Sequence, residues 1–226
     1  MSNSIPGLTE EQMREVDRIM IEDLGIELMQ MMENAGRNLA ELALRLFNAA
    51  SAAVLVGPGG NGGGGLVAAR HLANRGVAVQ VTLSRPWPEF AGVPAHQLAI
   101  LERMGVSVAH GEAADADLVI DALIGYSLRG DPRGTTRDLI GRANDAEAPV
   151  LSLDTPSGLN VTTGEAATPC IRATATMTLA LPKIGLIGAP QAGELWLADI
   201  SVPPSVYRVF GFEVGNLFAE DTIIRV

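Results

Sequence analysis

The sequence predicts an α/β fold: three layers, α/β/α, around a mainly parallel sheet, with an N-terminal helical extension. Three observations carry this. From residue 52 onward, short apolar runs of strand length alternate with stretches of helical periodicity. The runs are apolar along their whole length, the pattern of strands covered on both faces. A chain of 226 residues at 47% hydrophobic content can bury one large core, and no linker or internal repeat divides it. Residues 1–226 therefore read as one domain, with helices in residues 1–50 that pack on its core or extend from it.

The elements follow in order. Thr9 and Gln12 stand at capping-box spacing. Met13, Val16, Ile19 and Met20 then recur at helical intervals, and Gly25 ends the helix. A second helix covers residues 27–48, with Leu28, Met31, Met32, Leu39 and Leu42 on its inner face. AAVLVG (52–57) is the first strand. GPGGNGGGG (57–65) reads as a loop, and the helix after it ends before Gly76. Strands over 77–83 and 106–110 flank a helix over 94–105. DLVIDALIG (117–125) is a buried strand running into a glycine turn, and residues 135–146 form a helix. PVLSLDTPSG (149–158) is a strand and turn, and 175–182 and 193–200 read as further strands.

Composition removes several classes of function. The net charge is −10, against the basic face that a nucleic-acid binder needs, so no nucleic-acid partner is expected. The single cysteine, Cys170, allows no internal disulfide and no cysteine-built metal cluster. His71, His96 and His110 are too far apart for ligand spacing. The polar N-terminus has no apolar signal region, and no stretch of 18 apolar residues could span a membrane, so a cytoplasmic protein is expected.

In a parallel sheet, ligands bind beyond the carboxyl ends of the strands. Three such ends carry notable residues: GPGGNGGGG, the run from Asp121 into GYSLRGD, and DTPSG. A linker does not fit the first, because a strand precedes it and a helix follows. A phosphate loop of the lysine-containing kind fails at Gly65-Leu66. Gly57, Gly59 and Gly62 match a dinucleotide fingerprint, but Ser84-Arg85-Pro86 stands where a dehydrogenase keeps a ribose-binding acid. What remains is a turn whose N–H groups and following helix N-terminus favour an anion, such as the phosphates of a nucleotide-sized ligand.

GPGGNGGGGLVAARHL resembles the signature of the YjeF N-terminal domain family, the NAD(P)H-hydrate epimerases, which usually reads GPGNNGGDGLVAARHL. LTEEQMREVDR, MMENAG, DALIGYSLRGD, DTPSGLNVTTG, LALPKIGLIGAP and GELWLADISVP follow in family order. The resemblance implies a Rossmann-like fold, a homodimer, and epimerisation at C6 of the nicotinamide ring of NADHX or NADPHX. The product would feed a separate NAD(P)HX dehydratase. It implies a potassium ion held by Asn61, Asp121 and Ser157, a set of oxygen ligands suited to a hard cation. It implies substrate contacts from Gly60, Asn61, Gly62, Gly63 and Gly64. Gly125, Tyr126, Ser127, Leu128, Arg129, Gly130, Asp131 and Asp154 complete the implied contacts.

Inverting that carbon needs a proton donor and acceptor near its hydroxyl oxygen. Asp154 is the first candidate and Asp131 the second, with capping of its own turn as the structural alternative for Asp154. Lys183 either meets a phosphate or ends a strand in solvent, and His71 reads as a packing residue. The sequence departs from the signature at Gly60, which replaces an asparagine, and at Gly64, which replaces an aspartate. Glycine at 64 is expected to serve an unusual backbone angle. The alternative function is a non-catalytic nucleotide-binding or dimerisation module, its activity lost through Gly60 and Gly64.

Overall fold

The computed structural model describes residues 5–112 and 114–226; the first four residues of the polar N-terminus lie outside the described residues. Helices α1 (Glu10–Arg18) and α2 (Leu28–Phe47) come first. β1 (Ser51–Val56), α3 (Gly60–Ala73), β2 (Ala78–Leu83), α4 (Gly92–Arg103) and β3 (Ser107–His110) form the first half of the sheet region. β4 (Leu118–Ala122), α5 (Gly134–Asp145), β5 (Val150–Leu153), β6 (Ala175–Leu179), β7 (Glu194–Ala198), α6 (Pro204–Arg208) and β8 (Ile223–Arg225) follow. The strands lie in the order β3-β2-β1-β4-β5-β6-β7-β8. All pairings are parallel except β7 with β8.

β1 shows two apolar faces. Val54 and Val56 of β1 join the core under α2, α3 and α4, while Leu55 joins Val119, Leu139 and Ile140 under α5. That is the three-layer arrangement expected from uniformly apolar strands. β8 pairs at the sheet edge as a strand of three residues, too short to leave a periodic signal.

The N-terminal helices are built into the molecule. Thr9 caps α1 as its spacing predicts: its Oγ1 accepts the Gln12 N–H at 3.2 Å, and Gln12 Oε1 accepts the Thr9 N–H at 2.9 Å. A π-helical turn, Ile19–Asp23, carries α1 on toward Gly25, whose φ of +69° stops it. Met13, Val16, Ile19 and Met20 pack with Met31 of α2, with Leu197 of β7, and with Leu181 and Ile200 from beyond β6 and β7. Leu8 donates to the Pro182 carbonyl and accepts from the Ile184 N–H, which ties the chain start to the segment after β6. α1 thus lies over the carboxyl ends of β5 and β6.

Among the described residues, no helix is long and apolar enough to cross a membrane.

Candidate active site

The chain runs outward from β1 to β2 and β3, then returns to lay β4 on the other side of β1. This is the topological switch point, where a crevice opens between the two loops that leave in opposite directions. Gly57 begins the loop after β1, and its N–H donates to the Ala122 carbonyl of β4 at 3.1 Å. The two strand ends are so close that a Cβ on Gly57 would sit 1.9 Å from the Leu123 carbonyl oxygen.

The glycine stretch corrects one expectation. It is a loop only as far as Gly59; Gly60 already opens α3, five residues sooner than predicted. None of Gly57 to Gly65 has a positive φ, so the angle expected to explain Gly64 is absent. Close packing explains the glycines instead. A Cβ at Gly62 would meet the Gly57 carbonyl at 1.8 Å, one at Gly63 would meet Met32 of α2 at 2.6 Å, and one at Gly65 would meet Ala122 at 2.4 Å. The helix start is wedged between α2, β4 and its own loop. The first intrahelical bond runs from Gly63 to Gly59, so the N–H groups of Gly60, Asn61 and Gly62 precede any helical partner. The positive end of the helix dipole lies there as well.

A cavity of about 340 Å³ opens at this rim, within the usual range for ligand sites. Gly60, Asn61 and Gly64 of α3 line it, with Gly125, Tyr126 and Ser127 after β4 and Asp154 after β5. Of the other predicted contacts, Gly62 and Gly63 face packing neighbours, and Leu128, Arg129, Gly130 and Asp131 do not line the cavity. Asp131 is exposed and accepts the Thr168 N–H at 2.9 Å. His71 bonds Glu33 at 2.8 Å, a tie between α3 and α2 that agrees with a packing role.

Asp154 sits at the cavity floor with φ +66°, a left-handed angle uncommon for a residue with a side chain. It does not cap its own turn. Its Oδ2 accepts the Tyr126 N–H at 3.1 Å, and its Oδ1 accepts from Lys183 Nζ at 2.5 Å. Lys183 is neither a phosphate ligand nor in solvent. It is wholly buried, and its other two bonds go to Thr178 Oγ1 at 3.2 Å and the Leu179 carbonyl at 2.9 Å. All three donors of the ammonium are thereby used.

A second carboxylate reaches the cavity from α1. Asp17 Oδ2 accepts the Tyr126 hydroxyl at 2.5 Å. Burial pushes the Asp17 carboxyl above its ordinary value. The nearby Asp154 adds to that, while the Tyr126 hydrogen bond, Lys183 and Arg14 oppose it. Burial and Asp17 together push the Tyr126 hydroxyl up too, so it stays protonated. Sequence reasoning missed Asp17. The signal was present: it lies four residues after Met13 and three before Met20, a carboxylate within an apolar helical stripe.

Asp121, on β4, is completely buried. Its Oδ1 accepts the Ser157 hydroxyl at 2.5 Å and the Leu123 N–H at 3.2 Å; its Oδ2 accepts the Ser152 hydroxyl and the Ser157 N–H, both at 2.8 Å. Burial pushes this carboxyl up, and these bonds oppose the shift. The Ser157 hydroxyl also accepts the Ile124 N–H at 2.8 Å. Asn61 belongs to the same rim: a Cβ on Gly125 would lie 3.2 Å from the Asn61 Cβ and 3.3 Å from Asp154 Oδ2. Among the described residues, the buried Asn61 Nδ2 has no hydrogen-bond partner. No described residue therefore fixes which end of that amide faces inward, and turning it over offers an oxygen. An amide, a hydroxyl and a carboxylate at one strand-end rim are the donor types a hard cation takes.

Residues 28–185 match the family model described as the YjeF-related protein N-terminus. A protein of Dehalogenimonas lykanthroporepellens, named an NAD(P)H-hydrate epimerase, is 46% identical over 93% of this chain and 88% of its own. An NAD(P)H-hydrate epimerase of Rhodopirellula baltica is 35% identical over 91% of this chain and 88% of its own. A bifunctional NAD(P)H-hydrate repair enzyme of Moorella thermoacetica is 38% identical over 87% of this chain, which spans only 40% of that enzyme. The crystal structure of the yeast protein ynu0 superposes with a TM-score of 0.86 at 22% identity, covering 98% of this chain and all of the yeast chain; it shows the same fold. With its switch-point cavity, its glycine-started helix and these matches, the chain belongs to the YjeF-related N-terminal domain family.

Proposed function

We propose that the protein is an NAD(P)H-hydrate epimerase, an isomerase that interconverts the R and S forms of NADHX and NADPHX at C6 of the nicotinamide ring. The observation that carries this is the placement of Asp154 beside the start of α3 in one cavity. The free N–H groups of Gly60, Asn61 and Gly62 suit the diphosphate, and the paired carboxylate of Asp154 is held for proton transfer at the ring. A scaffold has no use for a buried Lys–Asp pair at the floor of a cavity, since such a pair seldom adds net stability. This weighs against the dimerisation-module reading.

In the proposed site Asn61, Asp121 and Ser157 hold a potassium ion. Asp121 has all four acceptor positions filled within the chain, so it ligates only if the Ser157 hydroxyl turns away from it. Bound there, the ion supplies positive charge to a rim that receives an anionic ligand. The reading also carries a homodimer in the cytoplasm and coupling to a dehydratase; the longer bifunctional relatives support that coupling.

The test supplies mixed R and S NADHX with an S-specific dehydratase and ATP, and follows recovery of NADH. Addition of this protein is expected to bring the R form into the recovered pool. Decay of the R form at its spontaneous rate alone would end the epimerase reading. A potassium titration of the same assay is expected to show activation that Asn61→Ala weakens.

A further inference from the structure

Inverting a carbon by loss and return of its hydroxyl needs two proton-handling groups. One protonates the departing oxygen, and the other takes the proton of the water that arrives on the opposite face. Sequence motifs ranked Asp154 first and Asp131 second for acid–base work, and Asp131 is exposed and outside the cavity lining.

The cavity itself holds a better-placed second group. Asp17 comes from α1 and Asp154 from the turn after β5, and both line the cavity. A single residue links them. Tyr126 gives its backbone N–H to Asp154 Oδ2 and its hydroxyl to Asp17 Oδ2, so the carboxylates stand at the two ends of one tyrosine. Their surroundings differ in kind. Asp154 is salt-bridged to Lys183, as an ionised acceptor is. Asp17 has no salt bridge among the described residues; Arg14, on its own helix, pairs with Glu10 and lies 5.6 Å from the Tyr126 ring centre. The charged or titratable groups facing Asp17 are Tyr126, Asp154, Lys183 and Arg14. Two carboxyls in one site with divergent environments are the pattern of an acid and a base with separate roles.

We infer that Asp17, braced by Tyr126, is the general acid of this site, and that Asp154, paired to Lys183, is the base that works against it. The inference rests on the epimerase reading. Protonated Asp17 gives its proton to the substrate hydroxyl. The C6–O bond breaks, water leaves, and the lone pair of the ring nitrogen forms a C=N bond to C6. A second water adds to C6 from the other face, the C=N pair returns to nitrogen, and the new hydroxyl's extra proton passes to Asp154. In the reverse direction the two carboxyls exchange roles, as microscopic reversibility requires.

The test compares wild type, Asp17→Asn and Tyr126→Phe in the dehydratase-coupled assay across pH. Asp17→Asn keeps an acceptor for the Tyr126 hydroxyl but has no proton of carboxyl acidity. Its kcat is expected to fall by about 10²–10⁴-fold with KM nearly unchanged, the range for loss of one acid–base group. In wild type, kcat falls as pH rises through the Asp17 value; Asp17→Asn lacks that limb. Tyr126→Phe removes a bond that pulls the Asp17 value down, so the limb moves to higher pH. A purely structural role would not move it. If wild type epimerises while Asp17→Asn keeps its kcat and its alkaline limb, the inference is overturned and the epimerase reading stands. If wild type does not epimerise at all, the epimerase reading itself has failed. If Asp17→Asn does not fold, an unmoved limb in Tyr126→Phe overturns the assignment instead.

Discussion

Lys183 has no exposed surface, and its ammonium is held by Asp154, Thr178 and the Leu179 carbonyl. A buried charge that loses its partner is expensive, so Lys183→Met should destabilise the protein by about 3–5 kcal/mol, read from the guanidinium midpoint. The double variant Lys183→Met/Asp154→Leu should recover much of that stability and have no activity. Asp17 makes a prediction of the opposite sign. Its carboxyl has an ordinary value of 3.8 and a raised one in the fold, so the stability it contributes when protonated is fully present below 3.8 and lost as pH rises through the folded value. Asp17→Asn should therefore gain Tm relative to wild type as pH climbs from acid to neutral; a difference independent of pH would contradict the shift. Gly64 is the third case. A Cβ there meets only the Leu153 Cδ2, at 2.8 Å, the end of a flexible side chain that can turn aside. In the proposed mechanism Asp17 and Asp154 supply the proton donor and acceptor, so Gly64→Asp should fold and leave kcat without a large gain. A rise of tenfold or more would show that the carboxylate missing from position 64 is catalytic.

At the scale of elements, α3 is the unit that makes the site. Gly62, Gly63 and Gly65 lack side chains because the loop before α3, α2 and β4 press against the backbone there, and Gly60, Asn61 and Gly64 line the cavity. Two substitutions two residues apart should therefore differ sharply. Gly62→Ala puts a methyl 1.8 Å from a carbonyl oxygen that cannot withdraw, and should abolish soluble folded protein. Gly60→Ala meets only the Met32 Cε, at 3.7 Å, and should change Tm little. α1 shows the converse, a helix whose start was readable in full. Thr9, Gln12 and the stripe of Met13, Val16 and Met20 specify it by local spacing, and the structure repeats them. The carboxylate within that stripe was the part that local spacing could not interpret.

For the whole molecule, the N-terminal layer and the sheet are joined by polar ties as well as apolar packing. Asn38 of α2, buried to 1% exposure, donates to the Asp199 carbonyl after β7 and accepts the Thr222 hydroxyl before β8. Asn38→Leu leaves both groups unpaired and should cost on the order of 1–3 kcal/mol each, measured by denaturant unfolding. The sequence by itself determined the layered α/β class, the order of the elements through β7, and the three strand ends that form the rim, because uniform burial and helical periodicity are local patterns in composition. It also determined that Asn61, Asp121, Ser157 and Asp154 were worth attention, through motifs that stay contiguous along the chain. Only the tertiary structure decided that the glycines start a helix, that Lys183 is turned inward onto Asp154, and that Asp17 stands across one tyrosine from it. Lys183 and Asp154 lie 29 residues apart and Tyr126 and Asp17 109; the cause of these contacts is packing distance, which no spacing along the chain records.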